Sequence, residues 1–180
     1  MFLVISGTNR PGSNTLKVAR HCARLLEEVG AGEVRLLDLQ ELPPALFHPE
    51  AYAEKPPGFA AWQEAILETQ GILTVVPEYN GSYPGALKYF VDMLRFPESL
   101  VGKPCAFVGL AAGEFGALRA VEQLEMVYHY RKAHLYGERA FLFRVHEALD
   151  PEGRPRDPDL ARRLELCARG FVGWARRISG

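Results

Sequence analysis

The chain has 180 residues, 48% hydrophobic and 24% charged, an ordinary balance for a folded protein with its own core. Lys plus Arg number 21 against 22 Asp plus Glu, a net charge of −1, which argues against bulk attraction to nucleic acid or to an anionic membrane as the main activity. Cys22, Cys105 and Cys167 are widely spaced, with no CxxC or Cys/His cluster, so a disulfide framework and a zinc site are not expected and a reducing compartment fits. At about 100–200 residues per domain, residues 1–180 are expected to form one domain. No apolar run reaches the ~18–20 residues of a membrane helix, and the opening MFLVISG lacks a basic flank and reads as a strand rather than a signal peptide. A cytoplasmic location is the expectation.

Taken in chain order, Phe2–Ser6 is a short buried strand. Ser13 to about Val29 has helical spacing, with Leu16, Ala19, Ala23, Leu26 and Val29 on roughly one face, and Gly30 and Gly32 end it. Glu33–Asp38 reads as a second strand. Five prolines between Pro43 and Pro57 make residues 40–58 a loop. Phe59–Glu68 returns to helical spacing, and Gly71–Val76 is apolar enough to be a strand buried on both faces. Tyr83–Phe96 follows as a helix with Pro84 in its first turn, then a strand at Pro104–Leu110 and a helix over Gly116–Tyr128. Ala140–Val145 is the best candidate for a fifth strand, residues 146–158 form a Pro- and Gly-containing loop, and Asp159–Ile178 closes the chain as a helix with Leu160, Leu164, Cys167, Phe171 and Trp174 on one side. Strand–helix alternation repeated five times predicts an α/β fold, a parallel sheet with helices on both faces. In such a sheet ligands bind beyond the carboxyl ends of the strands.

The loops at those ends hold all three asparagines of the chain, Asn9, Asn14 and Asn80. The first, from Ser6 to Thr15, follows a strand and opens a helix, whose unpaired backbone N–H groups and positive dipole end suit an anion. Thr8, Ser13, Asn14 and Thr15 add neutral donors and Arg10 a guanidinium fork. There is no Gly-Lys-Ser/Thr ending and no GxGxxG, so a terminal phosphomonoester fits better than a nucleoside triphosphate or a dinucleotide. A plain helix cap by Ser13 would not call for Arg10 and so many hydroxyls. The loop after the third strand, Pro77 to Lys88, offers Tyr79 to stack on a planar ring and Asn80 or backbone to bond its imide edge. The loop after the fourth strand, Ala111 to Ala117, is small enough for a flat ring to lie against it. The five histidines are scattered without metal spacing, so no metal is expected.

These residues resemble the NADPH-dependent FMN reductase family of the flavodoxin-like fold, which includes azoreductase, quinone reductase and chromate reductase relatives. The family's first-loop pattern is matched by Gly7, Thr8, Arg10, Ser13 and Thr15. Its Pro-Glu-Tyr-Asn signature is matched by Pro77, Glu78, Tyr79, Asn80, Ser82, Pro84, Gly85, Leu87 and Lys88. Gly113, Gly116 and Arg119 follow its fourth-strand pattern, with Ala117 in place of a glycine, and Tyr89 stands where Asn is usual. The resemblance covers roughly residues 1–145. It implies a three-layer sandwich with a five-stranded parallel sheet in the order 2-1-3-4-5. It implies bound FMN, with Thr8, Arg10, Ser13, Asn14 and Thr15 at the phosphate. Pro77, Glu78, Tyr79, Asn80, Gly81, Ser82, Gly113, Glu114 and Phe115 would border the isoalloxazine. It further implies NADPH or NADH as co-substrate, a small-molecule electron acceptor, and a homodimer or homotetramer, with the helix carrying Leu87, Phe90, Val91, Met93 and Leu94 supplying part of the interface. Hydride chemistry belongs to the flavin, so no protein residue is assigned as a catalytic acid or base. Glu78 is read as organising its loop. A flavodoxin-type electron carrier is the alternative, and the near-neutral charge counts against it. The identity of the acceptor and the choice between NADPH and NADH are not legible in the sequence.

Overall fold

A computed structural model describes residues 1–179. One parallel sheet runs through the molecule in the order β2-β1-β3-β4-β5, where β1 is Phe2–Ser6, β2 Val34–Asp38, β3 Ile72–Pro77, β4 Pro104–Leu110 and β5 His134–Leu135; a further strand, β6 (Ala140–Leu142), also pairs with β4. Each inner strand is apolar on both faces because both faces are covered. Phe2, Val4, Leu73, Val75, Ala106 and Val108 point into a core closed by α1 (Asn14–Glu28) and, once the chain has returned, by the C-terminal helix Pro158–Ser179. Leu3, Ile5, Ile72, Val76, Cys105 and Phe107 point the other way, against α2 (Ala60–Glu68), α3 (Gly85–Met93) and α4 (Leu118–Tyr130). The architecture is the three-layer, flavodoxin-like sandwich expected from the sequence.

The fifth position of the sheet is occupied in two pieces. Pro104 is in register with His134, whereas Val108 is in register with Ala140, so the outer strand takes up two extra residues between its halves. The sequence pattern marks only the second half, expected over Ala140–Val145, which ends at Leu142 because Val145 already begins a short helix, α5 (Val145–Ala148). The C-terminal helix is α6. Three further expectations are corrected. The face of α1 that packs inward carries Thr15, Val18, Ala19, Cys22, Leu25 and Leu26, while Leu16 and Ala23 are only half-buried. The prolines of residues 40–58 do not leave a plain loop: Pro44, Pro49 and Pro57 each start a 3₁₀ turn, where a missing N–H costs nothing. The helix expected over Tyr83–Phe96 is shorter at both ends, with Pro84 as its N-cap rather than inside its first turn. Among the described residues, no helix is long and apolar enough to cross a membrane, and no group of His, Cys, Asp and Glu side chains is placed to hold a metal.

Candidate functional site

The loop between β1 and α1 is held tightly against β3. Gly7 donates its N–H to the Val75 carbonyl at 2.9 Å, and a Cβ at Gly7 would lie 2.5 Å from that same oxygen, so no other residue fits without moving β3. The chain then turns over Arg10–Gly12 into α1. Ser13 has the extended backbone of an N-cap, and its Oγ accepts from the Leu16 N–H at 3.1 Å. The first turn of α1 has no acidic side chain, so its own residues leave the positive end of the helix dipole unneutralised.

The loop after β3 is fixed at three points. Glu78 N–H donates to the Leu110 carbonyl at 3.2 Å, tying it to the end of β4. Tyr79 and Ser82 exchange backbone hydrogen bonds at 2.8 and 3.1 Å around Asn80 and Gly81, both with positive φ (53° and 78°), the tight turn that an Asn-Gly pair is suited to make. Ser82 Oγ donates to Gln123 Oε1 at 2.5 Å, and Gln123 Nε2 donates to the Gly81 carbonyl at 3.3 Å, so α4 braces the turn from behind. The loop after β4 is tied to the segment after β6, with Val145 N–H on the Ala111 carbonyl at 3.2 Å and Arg144 N–H on the Gly113 carbonyl at 3.2 Å.

These loops enclose a cavity of about 400 Å³ beyond the carboxyl ends of β1, β3 and β4. Arg10, Ser13, Asn14 and Thr15 line one side, Pro77, Glu78 and Tyr79 another, and Leu110–Ala112 with Val145 and His146 close it. Seven of the sequence-selected residues therefore meet at one place. The others lie nearby in different roles. Thr8 is fully buried and is not among the residues that line the cavity: its Oγ1 is 2.8 Å from the Tyr79 hydroxyl and accepts from the Arg10 N–H at 3.2 Å, so it joins the two loops. Asn80, Gly81 and Ser82 form the adjoining turn. Gly113, Glu114 and Phe115 stand on an exposed tip, where Glu114 pairs with Arg144 and the Arg119 guanidinium lies 5.4 Å above the Phe115 ring. The lining residues Leu110, Val145 and His146 carry no motif signal. They reach the cavity only through strand pairing.

A larger groove of about 770 Å³ lies between α3 and α4, beside Tyr83, Val91, Phe96, Met126 and Tyr130. It has no phosphate-binding set, and its one ion pair, Lys88–Asp92 at 2.7 Å, is internal to α3. Leu87, Phe90, Val91, Met93 and Leu94, on the helix expected to supply part of a subunit interface, are themselves buried in the core, and of the five Val91 and Leu94 also line this groove.

The sequence profile of the NADPH-dependent FMN reductase family matches residues 1–147. The chain belongs to this family. An NAD(P)H-dependent FMN reductase of Pseudomonas aeruginosa is 30% identical over 186 aligned residues, 99% of this chain and 96% of its own. A quinone reductase of Pseudomonas putida is 32% identical over 84% of this chain and 86% of its own. Among solved structures, the flavoenzyme NAD(P)H:(acceptor) oxidoreductase FerB of Paracoccus denitrificans superposes with a TM-score of 0.82 at 26% identity, covering 98% of this chain and 97% of its own. Family membership makes the chain an oxidoreductase with FMN as cofactor and NAD(P)H as co-substrate. The cavity fits that cofactor: the start of α1, with no acidic side chain in its first turn, and the hydroxyl, amide and guanidinium donors beside it suit a phosphomonoester, and a neighbouring carboxylate oxygen, Glu78 Oε2, is buried with no partner among the described residues.

Proposed function

We propose that the chain is an FMN-dependent NAD(P)H oxidoreductase that works by a ping-pong cycle and passes electrons to a quinone, azo, flavin or metal-oxyanion acceptor. The observation that carries the reading is the single cavity where the Arg10–Thr15 loop, the Pro77–Tyr79 loop and the end of β4 converge. Arg10, Ser13, Asn14 and Thr15 would hold the phosphate, with the start of α1 adding backbone donors. Tyr79 and the Asn80–Ser82 turn, braced by Gln123, would border the ring. FMN, when bound, would supply the hydride chemistry between NAD(P)H and the acceptor. The protein's part is to fix the ring and keep one of its faces open. Donor and acceptor would use that face in turn. The whole site lies within one domain, residues 1–180. A homodimer or homotetramer in the cytoplasm fits this reading. The face available for assembly is the rim of the α3–α4 groove, where Phe96, Met126 and Tyr130 are exposed.

Initial rates at several fixed acceptor concentrations test the cycle. Parallel double-reciprocal lines are expected, and intersecting lines would indicate a ternary complex. Anaerobic mixing with NADPH or NADH should bleach the flavin absorbance. Failure with both would favour a simple electron carrier.

A further inference from the structure

Past the cavity wall formed by Val145 and His146, the chain makes a closed hairpin over Leu149–Arg156 before α6 begins. Leu149 bridges Pro155 in antiparallel fashion, Asp150 N–H donates to the Arg154 carbonyl at 2.9 Å, and Arg156 N–H donates to the Ala148 carbonyl at 2.8 Å. The Asp150 carboxylate gathers the turn from within, its Oδ1 accepting from the N–H groups of Glu152 at 3.0 Å and Arg154 at 2.8 Å. The tip is Gly153, buried and with φ of 82°. A Cβ there would lie 2.5 Å from the carbonyl carbon of Lys17 and 2.7 Å from both its Cβ and its oxygen, so only glycine lets the tip rest on α1. His21, one turn further along α1, has Asp150 and Arg154 among its charged neighbours. Lys17 is itself the residue that closes the first turn of α1, its N–H donating to the Ser13 carbonyl at 3.4 Å.

We propose that Asp150 and Gly153 are positioning residues: the hairpin they form seats the first turn of α1 and thereby sets the cavity's selectivity for a phosphorylated flavin. The inference rests on the FMN reading above. None of Leu149–Arg156 lines the cavity, so the hairpin acts through Lys17 rather than on a ligand. The first turn needs such a support. Arg10, Pro11 and Gly12 are exposed, and Ser13 and Asn14 are only half-buried. Val18 and Ala19 pack α1 into the core, but apolar packing is non-directional and leaves the position along the helix axis weakly fixed. A tip seated on the Lys17 backbone fixes that position. Donors at a helix start hold a phosphate well only when they converge on one point, and a site built without support around it is loose. The same stretch of chain runs from His146 on the far wall to Gly153 on α1, so the hairpin also sets the distance between the two walls.

The test compares FMN with riboflavin, the same flavin without its phosphate. Both are titrated by flavin fluorescence into apo wild type, Gly153→Ala, Asp150→Ala and Asp150→Asn, and apo melting is followed by circular dichroism. Wild type should prefer FMN. Gly153→Ala should lift the tip from Lys17 and weaken FMN by roughly two- to thirtyfold, with riboflavin affected clearly less, so the preference shrinks. Asp150→Ala should act in the same direction, and it carries the test if Gly153→Ala does not fold. Asp150→Asn keeps the Oδ1 acceptor and should recover most of the wild-type preference; failure to do so would overturn the Asp150 assignment. Equal weakening of both flavins, or a lowered melting temperature with an unchanged FMN-to-riboflavin ratio, would make the hairpin merely structural and overturn the proposal. A wild type that binds FMN no better than riboflavin would overturn the phosphate reading itself and this role with it, a result read before any variant is compared.

Discussion

Arg10 and Thr8 lie two positions apart on the same loop, and the fold gives them opposite duties. Thr8 is buried with its hydroxyl against that of Tyr79, so it fixes the distance between two loops. Arg10 is exposed and lines the cavity. Because a loop arginine buries little core, Arg10→Ala should leave apo melting unchanged by circular dichroism. A charge-assisted hydrogen bond contributes ~1.5–3 kcal/mol. At 1.36 kcal/mol per factor of ten, the FMN dissociation constant should rise roughly ten- to a hundredfold by fluorescence titration. Ser13, Asn14, Thr15 and the helix start would retain some cofactor. Unaltered affinity would remove this loop from the phosphate. The sequence alone could nominate both residues, since the first-loop pattern names them together. It could not separate ligand from brace, because that depends on where Tyr79 sits, 71 positions away.

At the level of elements, α1 shows why a helix can be located from sequence while its inward face is misjudged. Apolar side chains at Leu16, Val18, Ala19, Cys22, Ala23, Leu25, Leu26 and Val29 cover a wide arc, and either edge of that arc could serve as the buried stripe. Packing against both the sheet and α6 selects Val18, Cys22, Leu25 and Leu26. Leu26→Ala, at a fully buried position, should therefore destabilise apo protein by ~2–5 kcal/mol in urea unfolding. Leu16→Ala, at a half-buried one, should cost clearly less, and equal losses would contradict this placement. The same helix carries His21, half-buried among Arg24, Arg154, Glu28 and Asp150; desolvation, aided by the two arginines, lowers its pKa from the ordinary value of 6.5. The unfolded chain then takes up the proton first. Stability from this group is complete above pH 6.5 and is lost as pH falls through the lower folded value. Unfolding free energies measured from pH 7 down to 5 should decline, with a smaller decline in His21→Gln. Strand β5 was missed for another reason: two residues give no periodicity, and only pairing with Pro104 and Cys105 makes them a strand.

Across the whole molecule, the two cores on either side of the sheet enclose all three thiols. Cys22 and Cys105 are fully buried and Cys167 nearly so, and burial raises each pKa, that of Cys167 to about 12. A thiolate-directed reagent should label none of them in native protein and all three in denaturant. Rapid labelling of any one in the native state would contradict the packing. The strand order followed only from the family resemblance, whereas the loops Arg10–Thr15 and Pro77–Tyr79 were legible because each is a continuous stretch with its own turn chemistry. The far wall of the cavity was not, because Val145 and His146 are brought in only by the pairing of β6 with β4.

That outer strand has a further consequence. An open sheet ends in rows of unsatisfied N–H and C=O groups that can recruit another chain, and proteins commonly blunt such rows. Here the row beyond β4 is broken into runs of two and three residues whose register differs by two positions. A straight incoming strand that aligns with one run is out of step with the other. The irregularity thus acts as protection against ladder-by-ladder aggregation at that edge, which the opposite edge, the unbroken five-residue β2, does not share.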